Sequence, residues 1–185
     1  FKKINDNIDI IQTGSPIFDL LQKKYNDVFY KYDLKVTKNK KDFILINTRF
    51  SHANPIRGFR DKFGTNSPIS KNFSLKHLSQ LTKENSILQH EFIEMIFFLL
   101  DKKPNLDIVI RPHPSENIEI YKVFFKNSKV YISDSGPIDS WIRMCKVLIH
   151  NGCTTAIQGY ISEKKIISYE PLSCENLAGP KLTNQ

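Results

Sequence analysis

Short continuous runs of β-branched and large apolar residues recur along this chain, and between them the apolar residues fall at helical spacing. The runs are Phe43–Ile46, Asp107–Ile110, Val130–Ile132, Val147–Ile149 and Ile166–Tyr169. Within each run the apolar residues do not alternate with polar ones, which is the pattern of a strand buried on both faces of a parallel sheet. The segments between carry Ile87, Leu88, Phe92, Met95, Ile96, Leu99 and Leu100, then Ile118–Phe125, then Ile138–Met144, with a further helix from Thr154 to Tyr160. Thr82 is placed to cap the first of these. Strand and helix in regular alternation predict an α/β fold, a doubly wound parallel sheet with right-handed crossovers.

Upstream of the first run, Ile8–Ile11 reads as a short strand that stops at the breaker cluster Thr13, Gly14, Ser15 and Pro16. A helical pattern follows through Ile17, Phe18, Leu20, Leu21, Tyr25, Val28 and Phe29. The charged, aperiodic stretch Lys35–Asp42 then marks a boundary. Residues 1–41 are thus expected to be the end of a preceding N-terminal domain plus a linker helix, and residues 42–185 a Rossmann-like domain. The sequence starts at Phe1 and stops at Gln185 shortly after Gly179 and Pro180, which points to a piece of a longer chain. Asn54–Lys76, with two prolines and two glycines, is an irregular insertion, either a functional lid or a mobile loop.

Hydrophobic residues make up 40% of the chain and aromatics 11%, which excludes disorder, and no apolar run approaches the ~20 residues of a membrane span. Lys and Arg number 27 against 19 Asp and Glu, a net +8 that favours phosphate-bearing ligands or an anionic membrane surface touched peripherally. No arginine-rich helix or aromatic-interleaved basic motif marks a nucleic-acid reader. Cys145, Cys153 and Cys174 lack both CxxC spacing and a histidine at ligand distance, so neither a zinc site nor a disulfide framework is expected, and a reducing cytoplasm fits best. No metal and no cofactor is expected.

The chemistry concentrates where the apolar runs end, because open α/β sheets bind ligands beyond the carboxyl ends of their strands. After Val147–Ile149 come His150, Asn151, Gly152, Cys153, Thr154 and Thr155. Gly152 lets the backbone turn sharply, and Thr154 and Thr155 stand at a helix start whose N–H groups attract phosphate. The same residues would serve equally as a plain helix cap. After Asp107–Ile110 come Arg111, Pro112, His113 and Pro114, where two prolines hold an arginine and a histidine rigidly at a strand end. Arg111, His113, Gly152, Thr154 and Thr155 are therefore the candidate phosphate contacts. Asn47, Thr48 and Ser51 in the loop after Phe43–Ile46 are weaker candidates, as is Glu170, placed to hold ribose hydroxyls.

Three marks in fixed order, the Gly14–Asp19 turn, Arg111-Pro112-His113-Pro114 and the Asn151–Thr155 helix start, resemble the second half of a GT-B glycosyltransferase. More narrowly, the chain is similar to bacterial surface carbohydrate biosynthesis proteins. In that family a Gly-Asn-Pro-Arg-Phe-Asp turn precedes the C-terminal domain and an Ile-Asn-Thr-Asn-Phe strand end follows. Here they read Gly14–Asp19, with Ser15 for Asn and Ile17 for Arg, and Ile46–Phe50. The His-Pro pair resembles that of sialyltransferases and capsule Kdo transferases, where the histidine and a Ser/Thr pair hold the phosphate of a CMP-sugar. The matching positions are His113, Thr154 and Thr155. The resemblance implies a glycosyltransferase of surface polysaccharide biosynthesis, with a nucleotide-sugar donor, a carbohydrate acceptor and a catalytic base in the N-terminal half, outside this chain. A UDP-GlcNAc 2-epimerase-like enzyme shares the turn and the His-Pro pair, but its helix start carries carboxylates that Thr154–Gln158 lack. A non-catalytic nucleotide-binding subunit of a polysaccharide assembly complex is the alternative from another class.

Overall fold

Phe43–Asn47 forms a strand, β1, whose alternate side chains enter two different cores. The computed structural model describes residues 14–64 and 67–171. Preceding β1 are a short helix α1 (Pro16–Leu20), a 3-10 turn at Lys23–Tyr25 and α2 (Asn26–Val36). After it come α3 (Gly58–Phe63), α4 (Pro68–Asn72), α5 (Leu75–Lys102) and β2 (Ile108–Arg111). The chain continues through α6 (Glu119–Phe124), β3 (Tyr131–Ile132), α7 (Ile138–Met144), β4 (Cys145–His150), α8 (Thr155–Ile161) and β5 (Lys165–Ser168). The strands form one five-stranded sheet, every pair parallel, in the order β3-β2-β1-β4-β5. This is the expected doubly wound, Rossmann-like α/β architecture.

Side-chain alternation along the central strands sorts residues between the faces. Ile46, Ile108, Ile110 and Ile149 pack with Leu88, Phe92, Ile93 and Ile96 of α5 and Tyr121 of α6. Phe43, Leu45, Val109 and Leu148 point the other way, onto Trp141, Ile142 and Met144 of α7. A fully buried side chain of this size contributes about 1.5–3 kcal/mol, and Phe43, Leu45 and Ile46 are all essentially inaccessible. β1 is therefore the best-anchored segment. β3, paired only with β2, shrinks to two residues.

Two expectations shift. The long helix is capped by Ser74, whose hydroxyl accepts from His77 N at 3.2 Å. Thr82 lies inside that helix and donates to the Leu78 carbonyl at 2.9 Å. The first turn of α5 is solvent-exposed, so the apolar period begins at Leu78 and conceals the true start. The 54–76 insertion carries two short helices, α3 and α4, rather than irregular chain alone. The strand expected at Ile8–Ile11, and the chain beyond Pro171, lie outside the described residues.

Helix α2 is held to α7 by a buried bidentate pair: Arg143 Nε and NH2 donate to the Asp33 carboxylate at 2.6 and 2.8 Å. The guanidinium also lies over the Phe29 ring, 4.5 Å from its centroid. Both partners are nearly inaccessible, so losing one leaves a buried charge alone. Arg143→Ala is expected to destabilise the fold by about 3–5 kcal/mol in urea denaturation; a loss below about 1 kcal/mol would show the pair to be dispensable.

Candidate functional site

The order β3-β2-β1-β4-β5 contains one reversal. From β1 the chain steps outward through β2 to β3 with α5 and α6 on one face, then returns past β1 to β4 with α7 on the other. Helix α8 joins α7 there, its Gly159 lying where an added Cβ would meet Leu148 at 2.9 Å. Between β1 and β4 the crossovers diverge to opposite faces, which opens a crevice at the carboxyl edge. Asn47, Arg111 and His150 end their strands level with one another, in register across β2, β1 and β4.

A cleft of about 710 Å³ occupies this edge. Of the candidates read from sequence, Arg111, His113, Thr154, Thr155, Asn47 and Thr48 line it, together with Arg49, Asp134, Cys153 and Gln158. Gly152, Ser51 and Glu170 are not among the lining residues. Gly152 is buried beneath the turn at φ +76°, a left-handed conformation that suits glycine, and its carbonyl accepts from Arg49 NH1 at 3.1 Å. Ser51 is held through its hydroxyl and carbonyl by Lys62 Nζ, at 2.6 and 2.7 Å. Glu170 is exposed past β5 and accepts from Ser168 Oγ at 3.2 Å.

The helix start is more than a cap. Thr154 occupies the cap position of α8, yet its hydroxyl makes no cap hydrogen bond and is exposed on the cleft. The Thr155 hydroxyl accepts from Asn47 Nδ2 at 2.9 Å, tying the end of β1 to the helix. Asn47 Oδ1 is buried with no hydrogen-bond partner among the described residues. His150, which sequence reasoning passed over, stands under the turn: its Nδ1 accepts from Gly152 N at 3.0 Å and Cys153 N at 3.3 Å. Those two amides are therefore committed inward, and among the described residues no backbone acceptor meets the amides of Thr154 and Thr155. α8 has only seven residues, so its dipole is small and the hydroxyls carry more of the site's donor capacity.

Arg111 is anchored rather than free. NH1 donates to the Ser135 carbonyl and NH2 to Gly136 O at 3.0 Å, and the guanidinium lies 5.2 Å from the Trp141 ring centroid. With both terminal nitrogens bonded to the 134–136 turn, the guanidinium is held in place at the edge of the cleft. Gly136, at φ +72°, allows this turn; an added Cβ would come within 2.6 Å of Val36 Cγ1 on α2. Arg49 spends one nitrogen on Gly152 O and is otherwise exposed on the cleft. Its signal lay in the loop already suspected, two residues beyond Asn47.

His113 Nδ1 is tied to Ser115, 3.2 Å from its amide and 2.6 Å from its hydroxyl; with both donating to Nδ1, the ring proton sits on Nε2. Burial first, and then the positive charges of Arg49 and Lys62, lower its pKa, which favours the neutral ring, an Nε2–H donor in that tautomer. Beneath it lies Glu116, almost wholly inaccessible. Its carboxylate accepts from His113 N at 3.1 Å, Tyr121 Oη at 2.6 Å and Thr48 Oγ1 at 3.1 Å. Burial raises its pKa against these donors. A glutamate three residues past His113 in a proline turn reads as solvated; only the packing of α6 over the turn reveals otherwise.

No group of three or more His, Cys, Asp or Glu side chains that could hold a metal occurs among the described residues, nor any helix long and apolar enough to cross a membrane. No family model matches the chain, and no curated protein matches it. Among solved structures it is similar to Thermosulfurimonas dismutans KpsC, a beta Kdo 2,7 transferase, at 14% identity and a TM-score of 0.36. The match covers 83% of this chain and 45% of that one, so the chain spans less than half the length of that protein.

Beside the cleft, burial and the like charges of Lys62, Arg49 and His77 push His52 down to about 4. Protons then bind the unfolded chain first: this contribution to stability is complete above about pH 6.5 and is lost as pH falls toward the folded value. His113 and His150 shift in the same direction, while Glu116, shifted upward, has the opposite sign. The urea midpoint is expected to fall between pH 7 and pH 5, and His52→Gln to make that fall shallower; an equal fall in the variant would show that His52 is not the group responsible.

Proposed function

We propose that residues 42–185 are the nucleotide-sugar-binding domain of a GT-B-type glycosyltransferase of bacterial surface polysaccharide biosynthesis, with residues 1–41 leading in from a preceding domain. The observation that carries the reading is the convergence of the loops after β1, β2 and β4 on one cleft at the sheet's reversal point. That cleft is rich in hydrogen-bond donors: the His113 Nε2–H, the Thr154 hydroxyl and amide, and the charges of Arg49 and Arg111. Asp134 is the one carboxylate among the lining residues. Such a set suits a phosphate, for which charge-assisted hydrogen bonds are about twice as strong as neutral ones.

On this reading the donor is a nucleotide-sugar, a CMP-sugar by the likeness of the His-Pro and Thr-Thr positions, and the acceptor is a carbohydrate. As the glycosidic bond to phosphate breaks, negative charge grows on the departing nucleotide. Donors already fixed by the two prolines, by the Ser115 amide and by the α8 start stabilise that charge without reorganising. Arg111 contributes through its field and by holding the 134–136 turn, and Arg49 supplies the guanidinium with donors to spare. The net charge of +8 suits peripheral contact with an anionic membrane surface, where a polysaccharide acceptor would be presented.

Calorimetry with CMP, CDP and UDP, and with cytidine and uridine as phosphate-free controls, tests the site. Nucleotides are expected to bind and nucleosides not, with His113→Ala and Thr154→Val each weakening binding about tenfold, the loss of one charge-assisted hydrogen bond. In the full-length enzyme His113→Ala should lower turnover by roughly a hundredfold, comparable with losing one oxyanion donor. Nucleosides binding as tightly as nucleotides, or full activity in the variant, would overturn the phosphate site.

A further inference from the structure

Glu116 is an expensive residue for the fold. Its carboxylate is buried, no salt bridge reaches it among the described residues, and burial alone favours its neutral form. A leucine or glutamine of similar size would avoid the penalty of placing an unpaired charge there. What the carboxyl group does instead is gather donors from separate segments: Thr48 and the Phe50 amide from the loop after β1, His113 N from the turn after β2, and Tyr121 from α6. The Tyr121 hydroxyl is itself held by Gln89 Nε2 of α5 at 3.2 Å. Glu116 N closes the same turn onto His113 O at 2.8 Å, so His113 is bound to Glu116 through both its amide and its carbonyl. Pro112 and Pro114 have no N–H, and His113 N is the donor between them that fixes the turn to the layer below.

We infer that Glu116 is a positioning residue, whose buried carboxylate sets the height and direction of the His113 ring at the cleft by holding its main-chain amide. Its effect on ligand rests on the nucleotide reading above; its effect on the turn does not. The carboxylate is buried and is not among the groups that line the cleft, so its action on a ligand runs through the turn.

Two measurements on the same variants separate these. In hydrogen exchange followed by NMR, the His113 amide is expected to exchange roughly 10- to 100-fold faster in Glu116→Ala, with the Ile110 amide in β2 unchanged. Glu116→Asp, which keeps the charge but withdraws it by one methylene, should give the same increase and serves if the alanine variant does not fold. Glu116→Gln should restore slow exchange, because its amide oxygen still accepts from His113 N while its NH2 donates to Tyr121 Oη. In calorimetry with CDP, Glu116→Ala or Glu116→Asp should weaken binding about tenfold in the wild-type background and less than about twofold in a His113→Ala background. A purely structural residue would lower affinity equally in both. Unchanged His113 exchange, or equal losses in the two backgrounds, overturns the inference. If wild type binds no nucleotide, it is the nucleotide reading that fails, and the exchange result still decides the role of Glu116.

Discussion

β1 is paired on both edges and covered on both faces, and the rest of the molecule depends on that confinement. A strand so enclosed must satisfy every backbone group within the sheet. Its side chains have only two destinations, the core under α5 and α6 or the core under α7. The sequence Phe-Ile-Leu-Ile meets this with large side chains in each direction, and polarity is deferred to Asn47, where the strand runs out. The neighbouring strands end at the same level on Arg111 and His150, so three polar residues face one edge together. The cleft opens at this register and at the reversal in strand order, and the loops after β1, β2 and β4 complete its walls.

The floor of the cleft is costly. A buried polar atom without a partner costs about 1–3 kcal/mol, and Asn47 Oδ1 in the cleft and His150 Nε2 beneath the turn after β4 are both in that condition among the described residues. Glu116 adds a buried carboxylate. Compensation comes from the two apolar cores, where residues such as Trp141, Phe43 and Phe92 are fully enclosed, and from the Asp33–Arg143 pair that clasps α2 to α7.

The apolar runs and helical spacing made the architecture legible because burial on both strand faces leaves no other arrangement for such segments. The Ile138–Met144 helix was readable to its ends, bounded by Pro137 on one side and by the strand residue Cys145 on the other. Element ends were harder where the first turn is exposed, as at Ser74. At the site, residue type and strand-end position were readable, and Arg111, His113, Thr154 and Thr155 share one cleft. Their hydrogen bonds were not readable. Arg111 meets carbonyls 24 and 25 residues onward, and which side chain lies across a turn is decided by sheet order. Glu116 and His150 escaped notice because each is polar, adjacent to a turn and ordinary in its local pattern; only the packing of α6 and of the turn after β4 buries them.

The central claim is that this edge binds the phosphate of a nucleotide. Crystals of the protein grown with CDP test it most directly. The account predicts phosphate oxygens within about 2.7–3.2 Å of His113 Nε2 and of the Thr154 hydroxyl or amide, with the base directed along the cleft. A nucleotide seated elsewhere on the molecule, with His113 and Thr154 left to solvent, would contradict it.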